Sequence, residues 1–556
     1  MATEVDKLEQ AYREKPKRPS TWSGLPLKEF YGPPDVARVD YGQDVGNPGE
    51  YPLTRGIHKD MYRGRYWTRR EVSGFGLPEE SNRRLRFHME EGASGLSVIF
   101  DLPVQMGLDA DHPKARGEVG VQGAPINTFR DMDTLLQDIP LDKITMSFDE
   151  SVSLCCAVTL AQYVAVAQKQ GVDPSNLRGT IQNDSLHIRY CGFGISTPVD
   201  LSVKMSVDII EYCTRHMPSW NTININLYDL RETGINAPQE IAFGLSMASS
   251  YIEETLKRGL SVDDFAPRMA FYCSSHVDFF EEIAKLRAAR KLWARIMKER
   301  FGAKDPRSWR FRFGVHTAGC SLVPQQPLNN AIRVAYQALA AVLGGAQSLH
   351  CCSYDEPICL PTETSNRLAL RTQQMLAFET GVANVADPLG GSYYVESLTR
   401  QVEEEAERLL EEIDGMGGAI AAAKSAWFDR EIDKAALKYQ QEVESGEKTV
   451  VGVNAFVQPP DTETPGGVLR IATDTEEEMV RRLRELKETR DQTRLRKTID
   501  ELRRHAEMGE RENLIPFVLD AVKADASMAE VIGTIRQAYG MSYDPLEVVQ
   551  SPFFKD

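Results

Sequence analysis

Polar and ionisable residues recur at one place in the pattern of this chain, the ends of short apolar runs. Phe100-Asp101, Asn183-Asp184, Tyr228-Asp229, His316 and Asp355-Glu356 each sit at or just beyond such a run. Carboxylates, amides and an imidazole gathered in this way can hold a polar ligand through hydrogen bonds. The run Thr222-Ile223-Asn224-Ile225-Asn226-Leu227-Tyr228 alternates strictly. Period two puts Thr222, Asn224, Asn226 and Tyr228 on one face and the aliphatics on the other. If the aliphatic face packs on helices, the polar face turns inward, where buried amides need partners. A polar ligand lying along the inside supplies them.

Eight strand-like segments carry these residues: 66–73, 95–101, 143–149, 179–184, 222–228, 268–275, 311–317 and 347–353. Helical patterns at 78–92, 154–170, 201–216, 237–259, 277–301 and 328–343 separate them. Pro78 followed by Glu79 and Glu80 suits a helix start sterically and electrostatically. Strands alternating with helices predict parallel pairing, and eight units fit an α/β fold of the (β/α)8 TIM-barrel type, here with a polar interior, better than an open sheet. In a barrel the site lies at the carboxyl ends of the strands, where the polar residues cluster. No GxGxxG opens a helix, and Gly192-Phe193-Gly194 reads as a turn. Residues 1–50 read as an extended N-terminal arm, 51–391 as the barrel and 392–556 as a helical C-terminal region. The acids and bases alternating over 474–508 form a solvated face or, on a sharper reading, a subunit-docking surface.

The chain of 556 residues has a formal net charge of -16, which argues against nucleic-acid or anionic-membrane binding but leaves room for a local basic patch holding a phosphorylated ligand. No apolar run approaches the roughly 20 residues of a membrane span and no signal pattern opens the sequence, so a cytoplasmic protein is expected. Nine cysteines without CxxC spacing fit reduced thiols. His350-Cys351-Cys352 is no metal cluster, because alternate strand residues face opposite ways, and no metal site is expected.

Thr54-Arg55-Gly56, Trp67-Thr68-Arg69-Arg70, Phe100-Asp101-Leu102-Pro103, Thr180-Ile181-Gln182-Asn183-Asp184, Phe265-Ala266-Pro267-Arg268, Gln347-Ser348-Leu349-His350 and Val451-Gly452-Val453-Asn454 fall in one order along residues 50–455. In these motifs the chain resembles the large, substrate-binding subunit of the adenosylcobalamin-dependent acyl-CoA mutases, the methylmalonyl-CoA mutase family. The resemblance implies a barrel with coenzyme A threaded along its axis and a radical 1,2-rearrangement of the acyl skeleton. It also implies a flavodoxin-like cobalamin domain whose DxHxxG histidine ligates cobalt. No DxHxxG occurs in this chain, so that domain is expected on a small partner subunit, as in the 2-hydroxyisobutyryl-CoA and isobutyryl-CoA type, giving a hetero-oligomer.

Carried over by position, Arg65, Thr68, Arg70 and Arg268 would line the coenzyme A entrance, and guanidinium forks suit its phosphates. Ser97, Thr180 and Gln182 would touch the acyl-pantetheine, and Phe100, Glu232 and Glu356 the cobalamin or its adenosyl group. Four departures bear on the substrate. Val72 replaces the family's tyrosine and Gly192 its carboxylate-binding arginine, so methylmalonyl-CoA would lose its cation. Asp229 stands where relatives place a carbonyl-binding histidine. His58 and His316 replace a tyrosine and a cobalamin-side glutamine, and either could supply the donor that Asp229 lacks. Ile99 stands where relatives acting on 2-hydroxyisobutyryl-CoA carry an aspartate. The expected function is that of an isomerase acting on a branched, uncharged acyl-CoA. The alternative is a non-catalytic relative that binds acyl-CoA or a partner.

Overall fold

The computed structural model describes residues 20–149, 152–190, 197–458 and 467–554. Among them nine strands run parallel: β1 Thr68–Arg70, β2 Val72–Ser73, β3 Leu96–Ile99, β4 Thr145–Asp149, β5 Arg178–Ile181, β6 Ile223–Asn226, β7 Met269–Ser275, β8 Phe313–Thr317 and β9 Ser348–His350. They form one sheet in the order β1-β9-β8-β7-β6 and another in the order β2-β3-β4-β5. The two sheets share a stretch of chain. β1 and β2 are parted only by Glu71, yet Thr68 pairs with Ser348 on one side and Val72 with Ser97 on the other. At the opposite edges Gly179 of β5 bridges Trp220 in parallel, and the Asn221 N–H donates to the Gly179 carbonyl at 2.9 Å just before β6 begins.

All eight expected strand segments are present, and the helices Pro78–Glu90, Ser153–Lys169, Val199–His216, Ala237–Leu256, Phe279–Arg295 and Leu328–Leu343 occupy the expected intervals. The alternation works as anticipated. Ile223, Ile225, Val98, Phe148, Val315 and Leu349 are fully buried among the covering helices. Ser97, Ser147, Thr180 and Asn224 line an interior cavity instead. One expectation fails locally. The strand ends at Asn226, and Leu227–Glu232 is a short helix capped by the Asn226 Oδ1, which accepts the Asp229 N–H at 3.0 Å. Asparagine at an N-cap outweighs the strand propensity of its neighbours, so Tyr228 is helical rather than the last residue of a strand face.

Helix Ser153–Lys169 is apolar almost all round, with every residue from Ser153 to Ala167 buried. A helix of that kind must be covered on both sides, and Ile515–Lys523 covers its outer face. Tyr393–Gly415 lies in the same way over Phe279–Arg295 and Ala237–Leu256. The arm also rests on this body, with the Trp22 N–H donating to Asp278 Oδ2 at 2.8 Å and the Ser23 N–H to Glu281 Oε1 at 3.2 Å. Among the described residues no helix is long and apolar enough to cross a membrane, and the eight described cysteines are free thiols.

The join at Gly179 has no room for a side chain. A Cβ there would lie 2.1 Å from the Met146 carbonyl oxygen and 2.6 Å from the Trp220 ring. Gly179→Ala is expected to cost about 1–3 kcal/mol of stability, the usual scale of overpacking. Urea unfolding measures it, and an unchanged midpoint would show that the join yields without strain.

Candidate functional site

Two cavities, of about 610 Å3 and 870 Å3, are lined by the inward strand residues and share Tyr272 and His350. The smaller owes its space to small residues where a packed interior would carry Val or Ile: Ser97, Ser147, Gly179, Ala270, Gly314 and Ser348. The larger lies at the carboxyl ends of the strands.

The smaller chamber is strongly basic. Arg65, Arg70, Lys143, Arg178, Arg268 and Arg312 line it against one acid, Asp60. Among the described residues, Arg65, Lys143, Arg178, Arg268 and Arg312 form no ion pair. The crowding appears at Arg312 and His58. Burial, then the neighbouring Arg268 and Arg310, brings Arg312 down to about 10. Burial, then Arg310 and Arg312, holds His58 below its ordinary value. Uncompensated positive charge in a chain of net charge -16 is an anion site.

In the larger chamber the acids dominate. Asp149, Asp229, Glu232 and Glu356 line it, and the single described Arg or Lys is Arg84, whose Nη1 donates to the Pro361 carbonyl at 2.7 Å. A hydrogen-bonded chain crosses the floor. Ser147 Oγ donates to Asp149 Oδ1 at 3.1 Å, and Gln182 Nε2 to the same oxygen at 2.9 Å. Asn226 Nδ2 then bridges Gln182 Oε1 at 2.8 Å and Asp229 Oδ2 at 2.7 Å. His187 Nε2 reaches Asp229 Oδ2 at 3.1 Å. Burial lifts Asp149 to about 7 despite these donors. Two imidazoles tilted by 34°, His316 and His350, also line it, with ring centres 4.0 Å apart. Burial takes His316 down to about 4, so it is neutral, and the Val72 N–H donates to His350 Nδ1 at 3.1 Å.

The expected site residues are divided between the two chambers. Arg65, Thr68, Ser97, Thr180 and Arg268 line the basic chamber, and Val72, Ile99, Gln182, Asp229, Glu232, His316 and Glu356 the acidic one. Three others are placed as follows. Phe100 touches neither cavity; it is fully buried in the outer core, its ring 6.1 Å from that of Phe148, because a bulky aromatic at this strand end falls on the apolar face. Arg70 lines the basic chamber but braces its wall, with Nη1 donating to the Leu96 and Thr145 carbonyls, Nη2 to Thr145 Oγ1 and Nε to Ser348 Oγ. His58 lies in the basic chamber, not beside Asp229. Gly192 lies outside the described residues. Sequence reasoning missed Asp149, His187, Tyr272 and His350. The acid closing 143–149 and the histidine three residues after Asp184 were the available signals.

The methylmalonyl-CoA mutase family pattern matches residues 20–541. The chain belongs to the methylmalonyl-CoA mutase family. Membership makes it an isomerase of the acyl-CoA mutase class. Among its relatives, the 2-hydroxyisobutanoyl-CoA mutase large subunit of Aquincola tertiaricarbonis is 41% identical over 97% of this chain and 95% of that protein. The methylmalonyl-CoA mutase of Cereibacter sphaeroides is 41% identical over 94% of this chain and 72% of its own length. The mitochondrial enzyme of Homo sapiens is 36% identical over 94% and 68%.

The mutase family depends on adenosylcobalamin, and the acidic chamber suits the hydroxyls of an adenosyl ribose. Glu232 Oε2 accepts the Cys320 N–H at 2.6 Å, while its Oε1 is buried without a partner. Gly319 keeps the space between the acids open, since a Cβ there would lie 2.7 Å from Glu356 Oε1 and 3.2 Å from Glu232 Oε2. Among the described residues no group of His, Cys, Asp or Glu is arranged to hold a metal ion.

Burial lifts Glu356 to about 7 and Glu232 from 4.5 to about 8. Between 4.5 and 8 the folded chain thus holds a proton on Glu232 that the unfolded chain has released, and stability falls as pH rises through that window. Glu232→Gln is expected to flatten this fall and to raise the unfolding temperature at pH 8 above that of the wild type. Thermal unfolding across pH measures it, and parallel curves for the two proteins would show that Glu232 is ionised in the fold.

Proposed function

We propose that the chain is the substrate-binding component of an adenosylcobalamin-dependent acyl-CoA mutase acting on a branched acyl group that lacks a carboxylate. The observation that carries this reading is the pair of adjoining chambers with opposite chemistry, which share Tyr272 and His350. The basic one suits the phosphates of coenzyme A, since guanidinium forks without counter-ions are ready for an anion. The acidic one suits an acyl group without negative charge. A carboxylate there would find no free cation, because Arg84, the single described Arg or Lys of that chamber, already donates to a carbonyl.

On this reading the two sheets close into a (β/α)8 barrel, supported by the stretch shared between β1 and β2 and by the Gly179–Trp220 bridge. The domain division is proposed with it: arm to residue 50, barrel over 51–391, and from 392 a helical region laid over the barrel helices. The Aquincola relative is described as a large subunit and is matched along 95% of its length. By likeness to a protein described as a large subunit, the cobalt ligand would come from a small separate polypeptide, giving a hetero-oligomer. The alternative of a non-catalytic binding protein gains nothing from relatives that are themselves mutases.

Adenosylcobalamin, when bound, supplies the radical chemistry. Glu232, Glu356 and His316 would hold its adenosyl side. The chain's own work is positioning. Gln182 is fixed at both ends of its amide, by Asp149 and by Asn226, and so presents one orientation to the acyl group. Tyr272 and His350, common to both chambers, form the neck through which the thioester passes. Enclosure keeps water from reactive species.

Reconstitution with a DxHxxG cobalamin-binding polypeptide and a panel of acyl-CoAs tests the reading. Turnover on isobutyryl-, pivaloyl- or 2-hydroxyisobutyryl-CoA is expected to exceed that on methylmalonyl-CoA, and a preference for methylmalonyl-CoA would overturn the pocket argument. The isolated chain is expected to bind acyl-CoA but not adenosylcobalamin tightly; submicromolar adenosylcobalamin binding would sink the two-polypeptide arrangement. Arg268→Ala and Arg312→Ala should each weaken acyl-CoA binding about 10-fold, the scale of one charge-assisted hydrogen bond. Calorimetric titration reads this, and unchanged affinity would remove the phosphate assignment.

A further inference from the structure

We propose that His187 is a positioning residue, and that its pairing with Asp229 makes the acidic chamber select acyl groups carrying a hydrogen-bond donor, a hydroxyl or an ammonium. The proposal rests on the acyl-CoA reading above and deepens it.

The geometry leaves little freedom. His187 Nδ1 lies 2.5 Å from the backbone carbonyl oxygen of Asp184. A carbonyl only accepts, so Nδ1 carries a proton. The Asp184 carboxylate stands 3.6 Å from the same nitrogen. It cannot turn away, because its oxygens accept the Tyr251 hydroxyl at 2.8 Å and the Asn226 N–H at 3.1 Å. On the far side of the ring, Nε2 meets Asp229 Oδ2 at 3.1 Å, and Asn226 Nδ2 donates to that oxygen at 2.7 Å. The Asp229 backbone N–H is fixed to Asn226 Oδ1 as well. Burial alone would drive His187 neutral, but the hydrogen bonds it donates to Asp184 and Asp229 outweigh it and lift it to about 10. An imidazolium is thus held between two carboxylates.

The His187 side chain is 0% exposed and that of Asp229 27%, so a ligand in the chamber meets the aspartate and not the histidine. Both contacts fall on Oδ2. Oδ1 is left as an acceptor with no partner among the described residues. Against it a hydroxyl or an ammonium completes a hydrogen bond, whereas a methyl group of the same size desolvates the carboxylate and returns nothing. Sites built to bond a substrate hydroxyl reject the analogue lacking it far more strongly than apolar pockets reject a missing methylene.

Three nearly isosteric thioesters test this on the full chain by calorimetric titration: 2-hydroxyisobutyryl-CoA, 2-aminoisobutyryl-CoA and pivaloyl-CoA, which differ in one group on one carbon. The hydroxy or the amino thioester is expected to bind about 10-fold more tightly than pivaloyl-CoA, and whichever is preferred identifies the donor. His187→Ala should bring that ratio to within about 2-fold, and His187→Gln, whose amide can reach Asp229 Oδ2, should retain most of it. A ratio near one in the wild type, or a ratio unaltered by His187→Ala, overturns the proposal. Should His187→Ala fail to fold, Asp229→Asn is read in its place, and an unaltered ratio there overturns the proposal equally. Equal binding of all three thioesters removes only the role of the pair; binding of none removes the acyl-CoA reading and the proposal with it.

Discussion

A polar group taken out of water must find a partner, and the interior of these strands is built from polar groups. That constraint organises the molecule. Ser147, Asp149, Gln182, Asn226, Asp229 and His187 satisfy one another in sequence across β4, the segment that follows β5, the end of β6 and the short helix after it. Removing any one member leaves a desolvated neighbour unpaired, a cost of about 1–3 kcal/mol. The chain of bonds therefore fixes the orientation of its amides and carboxylates before any ligand arrives. Preorganisation of this kind is what a protein can contribute when the difficult chemistry belongs to a cofactor.

The same economy of partners separates the chambers. Cations on the basic side are left facing each other, and carboxyl groups on the acidic side are pushed upward by burial, Glu232 to about 8 and Asp149 to about 7. The cations do not cancel within the protein, so the basic chamber keeps an unmet demand for an anion, while the carboxyls of the acidic one offer hydrogen bonds to a ligand. Buried pairs elsewhere behave differently. Lys285 is held between Glu240 and Glu282, close to Arg231, and underpins the short helix that carries Asp229 and Glu232 without entering either cavity.

The framework was largely legible in the sequence because it depends on local periodicity. Eight strands and six helices follow from alternation at period two and at 3.6. Asn226 shows the limit, since its capping of the next helix is also local but competes with a strand pattern that looks unbroken. The site was legible where a residue stands at a strand end, as Gln182, Asp229 and Glu356 do. It was hidden where function comes from convergence. Lys143, Arg268 and Arg312 precede three strands and Arg178 opens a fourth, and nothing in their spacing announces that they share one chamber. His187 and Asp229 lie 42 residues apart and meet only because β5 and β6 adjoin. Phe100 and Arg70 show the converse, correct positions whose side chains are committed to the core and to the wall.

The stretch Thr68–Ser73 belongs to both sheets, its first half pairing with β9 and its second with β3. Sliding of one sheet past the other would have to twist this single rod. Arg70 faces the basic chamber from it, and Val72 the acidic one. On the proposed reading the rod is a ruler, because it sets the distance between the phosphates and the reacting carbon. Pantetheine has the same length in every acyl-CoA, so the molecule gauges length first and leaves the acyl group as the one variable still to be told apart.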